Sequence, residues 1–234
     1  MSNFDISFIV PTLNENQNIV NLYNLVVNST RGENYTYEII FVDDQSTDGT
    51  VDKINQLINS CNENIIIIQN KVNKGLGYAL INGVKISNSK YILFLDCDVS
   101  IEKHDLKKII NNRKPNCMLI GSRYKKNSKI NGASQFKVII SKILNALISF
   151  VYSLKISDVS HSLRIFPNIV NFDDIKTLTH PGFFWELSVL FKKKGEITEL
   201  PITFNERVYG ITKNQTKKLA LSVINFLTNQ IKKN

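Results

Sequence analysis

Cysteine, glycine and proline are scarce in this chain of 234 residues, with 3, 10 and 5 of each. Three cysteines leave one unpaired in any disulfide scheme, and Cys61, Cys97 and Cys117 do not have the spacing of a zinc-ligand motif. The low glycine and proline content excludes a fibrous or low-complexity chain. The sequence therefore predicts a compact protein in a reducing, cytosolic compartment.

Long apolar runs and a leader pattern are also missing. No stretch of about 18 residues lacks polar side chains, so the sequence predicts no transmembrane helix. Residues 1–5 show no basic region followed by an apolar core, and we therefore expect no signal peptide.

Acidic residues are outnumbered by basic ones, 20 against 29, which gives a net charge of +9 and a pI near 9.4. This excess favours anionic partners such as nucleotides, nucleic acid or acidic lipid, although a lysine-rich composition alone produces the same charge. No helix-turn-helix, zinc-finger or RNA-binding aromatic motif is present, so we expect no nucleic-acid partner. A basic nucleic-acid-binding module is the alternative from another class.

Short apolar runs alternate with amphipathic segments through the first hundred residues. Strands are predicted at residues 6–10 (ending before Pro11), 37–42, 65–68 and 91–95, and helices at about 16–29, 50–59 and 76–87. This alternation predicts an α/β fold, a mostly parallel sheet with helices on both faces. Ligands of such sheets bind beyond the carboxyl ends of the strands, so the loops after Val10, Val42, Gln69 and Leu95 should converge on one site.

The second half is less regular. A strand is predicted near residues 119–121, helices at about 133–154 and 184–194, a strand at about 197–200 that ends at Pro201, and a final amphipathic helix at 216–231. We expect a single domain at residues 1–214, followed by a C-terminal amphipathic helix at 215–234.

Two carboxylates two residues apart, Asp96 and Asp98, follow a strongly apolar strand. In extended backbone they point the same way, and close carboxylates repel each other unless a cation or a proton joins them. A hard divalent ion such as Mg²⁺ or Mn²⁺ takes oxygen ligands, including those of a diphosphate. The pattern predicts a cation site, with a solvated turn and helix cap as the structural alternative.

Other segments carry weaker signals. Asp43 and Asp44 either bind a base or ribose or have a structural role in the turn after the second strand. Residues 73–79 place Lys74 and Gly75 just before a helix, and a helix N-terminus favours anions. Arginine suits phosphate contacts, and basic residues recur in the second half: Arg123, Lys137, Arg164, Arg207 and Lys213. Glu186 is a possible general base or a structural carboxylate, whereas His161 and His180 favour structural roles.

In this order, the motifs resemble family 2 glycosyltransferases, and most closely the dolichyl- or polyprenyl-phosphate mannose (or glucose) synthases. The resemblance covers about residues 6–214 and depends on residues 10–16, 42–50, 74–79, 95–100, 121–124, 157–164, 184–186, 199–204 and 207–213. It implies a GT-A-type nucleotide-binding fold and an inverting hexosyltransferase that uses a GDP- or UDP-linked donor.

The resemblance also implies roles for individual residues. Catalytic roles are implied for Asp96, Asp98 and Arg123, with Asp96 and Asp98 as the metal ligands. Sugar-nucleotide contacts are expected from Pro11, Leu13, Glu15, Val42, Asp44, Lys74, Gly75, Asp96, Cys97, Asp98 and Lys213. Acceptor-phosphate contacts are expected from Arg123, Lys137, Ser141, Arg164 and Arg207.

Departures from the family pattern leave both the base or sugar of the donor, at Leu13, and the acceptor, at Lys137 and His161, open. Leu13 stands where mannose synthases often have an aromatic residue, and Lys137 stands where an arginine is usual. A polyprenyl-phosphate acceptor needs charge neutralisation, whereas a saccharide hydroxyl needs a positioned base such as Glu186 or Asp158. The 133–154 helix is either an ordinary core helix or one that lies on a bilayer. We expect a cytoplasmic protein, peripheral on the inner membrane face or held by a membrane partner.

Overall fold

The computed structural model describes residues 3–206. In the first half it contains β1 (Phe4–Thr12), α1 (Ile19–Thr30), β2 (Tyr37–Asp43), α2 (Thr50–Ser60), β3 (Asn64–Gln69), α3 (Leu76–Ile86) and β4 (Ser89–Phe94). All seven elements match predicted ones. The predicted helix at 216–231, and the domain boundary before it, lie outside the described residues.

The second half contains more elements than its hydrophobic pattern predicts. They are α4 (Lys103–Asn111), β5 (Cys117–Ser122), β6 (Lys129–Asn131), α5 (Gln135–Val151), β7 (Arg164–Pro167), a 3-10 turn (Phe172–Asp174), α6 (Gly182–Lys192), β8 (Glu196–Pro201) and β9 (Thr203–Asn205). The missed helix α4 does have a readable signal. Leu106, Ile109 and Ile110 recur at helical spacing and are fully buried.

Seven strands form one sheet in the order β3-β2-β1-β4-β7-β5-β8. β7 is antiparallel to both of its neighbours, while the other paired strands are parallel. The prediction of a mostly parallel α/β sheet is therefore confirmed. β2 and β4 lie on opposite sides of β1, so the order in which successive strands are added to the sheet reverses at β1. A cleft forms at such a reversal, beyond the carboxyl ends of β1 and β4.

Apolar side chains cover both faces of the sheet, as predicted. Along β1, Phe8 packs into the core that contains α1 and α4, whereas Ile9 packs into the core that contains α3 and α6. This alternation follows from the two-residue period of an extended strand. A sheet buried on both faces leaves its carboxyl edge as the place where polar groups can collect.

The first strand corrects one predicted boundary. β1 continues through Pro11 to Thr12, where the sequence predicts an end at Val10. The ladder with β4 ends at Ile9, whereas the ladder with β2 continues to Thr12. By strand alternation the nitrogen of Pro11 faces the side where pairing has already ended, so the missing N–H costs no ladder hydrogen bond.

Gly83 shows how tightly α3 packs on the sheet. A Cβ atom at this position would lie 2.5 Å from Cγ2 of Ile9 and 3.0 Å from Cγ2 of Val42. We predict that Gly83→Ala lowers the free energy of unfolding by about 1–3 kcal/mol, because overpacking outweighs the helix propensity of alanine. Urea unfolding measures the change. Lys85→Ala on the same helix is the control, and a Gly83→Ala variant as stable as that control would contradict the packing argument.

Candidate active site at the carboxyl edge of the sheet

A cavity of about 460 Å³ opens beyond the carboxyl ends of β4 and β5. It is lined by Asp96, Asp98, Arg123, Tyr124, Ile130, Ala133, Ser134, Phe136, Lys137, Val138, Ile140, Ser141, Ser160, His161, Ser162, His180, Pro181, Phe204 and Glu206. Five residues predicted from the sequence therefore share one cavity, namely Asp96, Asp98, Arg123, Lys137 and Ser141. Their individual roles stay predictions.

The aspartate pair is held by backbone that leaves β4. The N–H of Leu95 donates to the carbonyl of Ile9 (3.2 Å), which keeps the chain beside β1 for one residue past β4. Oδ1 of Asp98 accepts from the N–H of Ser100 (3.2 Å), and Val99 between them has a positive φ of 52°. This tight turn places both aspartates on the cavity wall. Helix α4 begins only at Lys103, so Asp98 does not cap it.

The carboxylates fit a divalent cation that is shared with a substrate. Within residues 3–206, no group of three or more His, Cys, Asp or Glu side chains is arranged to hold a metal. Mg²⁺ is commonly held by one or two carboxylates, with water and substrate phosphate oxygens completing the shell. Asp96 and Asp98 are such a pair, and they would hold the ion.

Arg123 and Asp158 form a desolvated ion pair at the wall of the cavity. Nε and Nη2 of Arg123 donate to Oδ2 and Oδ1 of Asp158, each at 2.8 Å. Burial favours the neutral carboxyl, but the charge and hydrogen bonds of Arg123 hold the pKa of Asp158 at about 2. Burial also opposes the charge on Arg123, and Asp158 outweighs it and raises the arginine pKa. Both groups therefore stay ionised.

A second layer of hydrogen bonds fixes that ion pair. Glu199, on β8, accepts from the N–H groups of Ser157 (2.8 Å) and Asp158 (2.7 Å). Asn145 is the buried amide of α5; its Oδ1 accepts from the N–H of Ser160 at 2.8 Å. Oγ of Ser160 in turn accepts from Nη2 of Arg123 (3.0 Å). Helix α5, which carries Lys137 and Ser141, is thereby tied to the segment that holds Arg123.

Three serines in this region lie in the motif 157–164 but had no individual role predicted from the sequence. Ser162 Oγ donates to Oδ2 of Asp96, and Ser160 contacts Arg123. Ser157 contacts Glu199 through both its N–H and its hydroxyl. Serines in the stretch 157–162 gave no periodic signal, and only the fold brings this segment alongside Asp96.

The residues predicted to hold the nucleoside lie elsewhere. None of Pro11, Leu13, Glu15, Val42, Asp44, Lys74 and Gly75 lines the cavity. Asp44 is close to the carboxyl edge, where its N–H donates to the carbonyl of Thr12 (2.9 Å) and its Oδ1 accepts from Asn70 (3.1 Å). Lys74 is exposed, with its Nζ 5.1 Å from the ring centroid of Tyr78.

Three of the predicted nucleotide contacts could come only from the backbone, and they stay predictions. Val42 is fully buried against α3, and Cys97, 3% exposed, packs into the core on the opposite face. Gly75 has φ of 97°, and a Cβ there would lie 3.2 Å from the carbonyl oxygen of Leu178. Its glycine identity is therefore explained by a close approach to the protein's own backbone.

Arg164 does not reach the cavity, which corrects the expectation of an acceptor-phosphate contact. It is fully buried, and its guanidinium donates to Oγ of Ser188 (3.1 Å) and to the carbonyl of Val159 (3.1 Å). The guanidinium carbon also lies 4.5 Å from the ring centroid of Phe184. Burial lowers the pKa of Arg164 to about 9. This arginine joins β7 to α6 and is structural.

Glu186 is likewise corrected from possible base to structural carboxylate. It is fully buried on α6, outside the residues that line the cavity. Its Oε2 accepts from the N–H groups of Lys176 (3.0 Å) and Thr177 (2.7 Å). The predictions for Arg207 and Lys213 lie outside the described residues.

A mostly parallel sheet with an aspartate pair at its carboxyl edge has the architecture of a GT-A-type fold. Residues 7–171 match the family described as Glycosyl transferase family 2, and the chain belongs to this family. The resemblance found in the sequence is therefore confirmed.

The names of two curated relatives describe transferases that act on lipid phosphates. The dolichol-phosphate mannosyltransferase of Pyrococcus furiosus is 30% identical over 219 residues, covering 92% of this chain and 60% of that protein. The undecaprenyl-phosphate 4-deoxy-4-formamido-L-arabinose transferase of Proteus mirabilis is 22% identical over 232 residues. This match covers 97% of this chain and 69% of that protein. The chain thus spans less than two thirds of the length of the Pyrococcus protein.

A solved structure supports the fold. Glucosyl-3-phosphoglycerate synthase from Mycobacterium tuberculosis, in complex with Mn²⁺, UDP and glucosyl-3-phosphoglycerate, matches with a TM-score of 0.60 at 16% identity. The match covers 97% of this chain and 80% of the other. At this identity the likeness concerns architecture, and it confirms the predicted GT-A fold.

The two histidines of the cavity wall make stability depend on pH. Burial, followed by the charge of Arg123, lowers the pKa of His161 to about 3 and of His180 to about 4. An unfolded chain binds more protons than the folded one between about pH 6.5 and about pH 4, so stability falls as pH falls through that window. We predict a slope of about 1.4 kcal/mol per pH unit for each histidine.

Urea unfolding at several pH values measures this slope. His161→Phe keeps a ring against Phe204, whose centroid lies 5.9 Å away, and removes the proton-binding site. The slope of unfolding free energy against pH should be smaller in this variant than in the unmodified protein by about 1.4 kcal/mol per pH unit, the contribution of one histidine. An unchanged slope would show that His161 does not stay neutral in the fold.

Proposed function

We propose that this protein is an inverting hexosyltransferase that moves a sugar from a GDP- or UDP-linked donor to a polyprenyl or dolichyl phosphate. The observation that carries the proposal is the shared cavity, in which the Asp96–Asp98 pair faces a wall containing Arg123, Lys137 and Ser141. The acceptor phosphate oxygen attacks the anomeric carbon, the bond to the donor diphosphate breaks, and a nucleoside diphosphate leaves.

The geometry favours an acceptor that is already ionised. Asp158 is fully buried, bound to Arg123 and held as a carboxylate with a pKa of about 2, so it is a poor proton acceptor. Glu186 lies in the protein interior. A phosphate acceptor needs no base, only groups that offset its charge. Lys137 supplies a positive charge, and Arg123 supplies a guanidinium that is shared with Asp158. The names of the Pyrococcus and Proteus relatives support the same acceptor class.

We propose Mg²⁺ or Mn²⁺ as the cofactor. When bound at Asp96 and Asp98, the ion would stabilise the departing diphosphate. The chain itself orients the carboxylates, through the hydrogen bond from Ser162 to Asp96 and the turn at Asp98. The Mn²⁺–UDP complex of the mycobacterial structure supports this choice.

We place the protein at the inner face of the cell membrane, where a lipid-linked acceptor is available. No helix within residues 3–206 combines the length and apolarity needed to cross a bilayer. Helix α5 instead presents an apolar stripe of exposed side chains, in which Phe136 is 71% and Phe150 is 84% exposed. The stripe consists of Phe136, Ile139, Ile143, Leu147, Phe150 and Val151. Such a helix suits the bilayer interface, whether alone or beside a membrane partner protein.

A transfer assay tests the proposal. Labelled GDP- and UDP-sugars are incubated with a short-chain polyprenyl phosphate in detergent and a divalent cation, and product is measured in the organic phase. We predict labelled lipid with one of the donors. Asp98→Ala should reduce turnover by at least about 100-fold, because a metal ligand for the diphosphate is lost.

Asp52→Asn is the matched control for that variant, since it removes an exposed carboxylate from α2. It should leave turnover unchanged. An Asp98→Ala variant that is folded and as active as this control would contradict the metal assignment. Transfer to a saccharide without any lipid product would instead support the alternative, a glycosyltransferase that acts on a sugar hydroxyl in surface polysaccharide assembly.

A further inference from the structure

A second cavity, of about 700 Å³, lies on another side of α5 and is not used by the proposed reaction. We call it the lysine pocket; it is lined by Tyr124, Lys142, Ala146, Ser149, Phe150, Ser153, Lys155, Ile156 and Ser157. Only Tyr124 also lines the active-site cavity. The two cavities therefore share one wall and are otherwise distinct.

The lysine pocket is positively charged. Lys142 and Lys155 are its charged lining residues, and no lining residue carries a carboxylate. Across residues 3–206, neither lysine takes part in an ion pair; the Nζ of Lys142 lies 5.6 Å from the ring centroid of Tyr124. The carboxylates of Asp158 and Glu199 lie behind the pocket wall and are engaged by Arg123 and by backbone N–H groups.

The backbone beside the pocket is strained. Ser153 and Lys155 are non-glycine residues with φ of 50° and 57°, a conformation that costs each about 1 kcal/mol or more. The turn is nonetheless fixed. The N–H of Leu154 donates to the carbonyl of Ser149 (2.9 Å), and Oγ of Ser149 accepts from the N–H of Ile156 (3.1 Å). With the N–H of Ser153 donating to the carbonyl of Phe150 (3.1 Å), these bonds form the Schellman C-cap of α5, which carries Lys155 to the rim of the pocket in a fixed position.

The rim of the pocket is apolar. Phe150 lines the pocket and also belongs to the apolar stripe of α5, where Ile143 and Leu147 are 62% and 47% exposed. A ligand that suits both features has an anionic head and an apolar tail. A free phosphate or a nucleotide would leave the stripe exposed to water, which is costly for an apolar surface.

We propose that the lysine pocket binds the headgroup of an anionic membrane phospholipid. The phosphate lies between Lys142 and Lys155, and the acyl chains run past Phe150 along the stripe. This inference rests on the membrane location included in the proposed function. It adds a lipid site that is separate from the acceptor site. A phospholipid bound there orients α5 so that Lys137 and Ser141, on another side of the helix, face a cavity that opens near the bilayer.

Vesicle binding tests this site. Binding of the full chain is measured by co-sedimentation with vesicles of phosphatidylcholine alone or mixed with phosphatidylglycerol. Each of Lys142→Ala and Lys155→Ala should weaken binding to the mixed vesicles about fivefold, and the double variant about 25-fold. Phe150→Ser should weaken binding to both kinds of vesicle, because it removes apolar contact with the bilayer.

The matched control is the double variant Lys192→Ala, Lys193→Ala. Lys192 is the last residue of α6 and Lys193 follows it, so both exposed lysines precede β8 at its amino end, away from the site. Their substitution removes the same charge. A loss equal to that of the Lys142, Lys155 pair would overturn the proposal. So would competition by inorganic phosphate combined with full binding by Phe150→Ser, since that result identifies a free-phosphate site.

Transfer to a short-chain acceptor in detergent separates this inference from the proposed function. The Lys142, Lys155 double variant should transfer sugar in detergent as the unmodified protein does. Lysine-dependent vesicle binding without any lipid transfer would contradict the proposed function and leave the phospholipid site standing. Transfer with lysine-independent binding would contradict only the site.

Discussion

The ion pair between Arg123 and Asp158 is the constraint on which the rest of the cavity depends. A fully buried carboxylate is tolerated only when its charge is matched and its oxygens accept hydrogen bonds. Arg123 meets both needs with two 2.8 Å contacts, and Glu199 fixes the backbone of Asp158. The pair holds the end of β5 against segment 157–162, and the same segment carries Ser162 to Asp96.

That arrangement separates two kinds of charge within a single cavity. The aspartates after β4 present negative oxygens, as does Glu206, while Lys137 and the guanidinium that Arg123 shares with Asp158 present positive groups. The combination suits a cation, a diphosphate and a second phosphate better than it suits a neutral alcohol. Because Asp158 is bound by Arg123 and Glu186 lies in the interior, neither of the two carboxylates first considered as a base is available, and this favours the ionised acceptor that we propose.

The sequence predicts the first half of the fold well, because β1, β2 and β4 are largely buried and, like the more exposed edge strand β3, contain continuous apolar runs. The aspartate pair is predictable for the same reason, since it directly follows such a run. The second half is harder. β7 is a four-residue antiparallel strand between two longer ones, and its apolar signal is interrupted by Arg164, whose charge indicates a surface role that burial contradicts.

The direction of a side chain is the other limit of sequence reasoning. Val42 and Cys97 occupy segments that approach the site, yet their side chains point into opposite cores. Glu186 reads as a base candidate on an amphipathic helix, but it satisfies backbone N–H groups inside the protein. Residue type and spacing identify where a site forms, whereas only the packing of neighbouring elements decides which side chains enter it.

The proposed transfer depends on a divalent cation that joins the donor diphosphate to Asp96 and Asp98. Titration calorimetry of UDP and GDP, with and without Mn²⁺, measures this dependence. We predict that one nucleotide binds with Mn²⁺, that binding weakens strongly without the ion, and that Asp96→Asn abolishes the difference. Equal affinity with and without Mn²⁺, or an Asp96→Asn variant that keeps the full Mn²⁺ effect, would show that these aspartates do not hold a cation for the diphosphate.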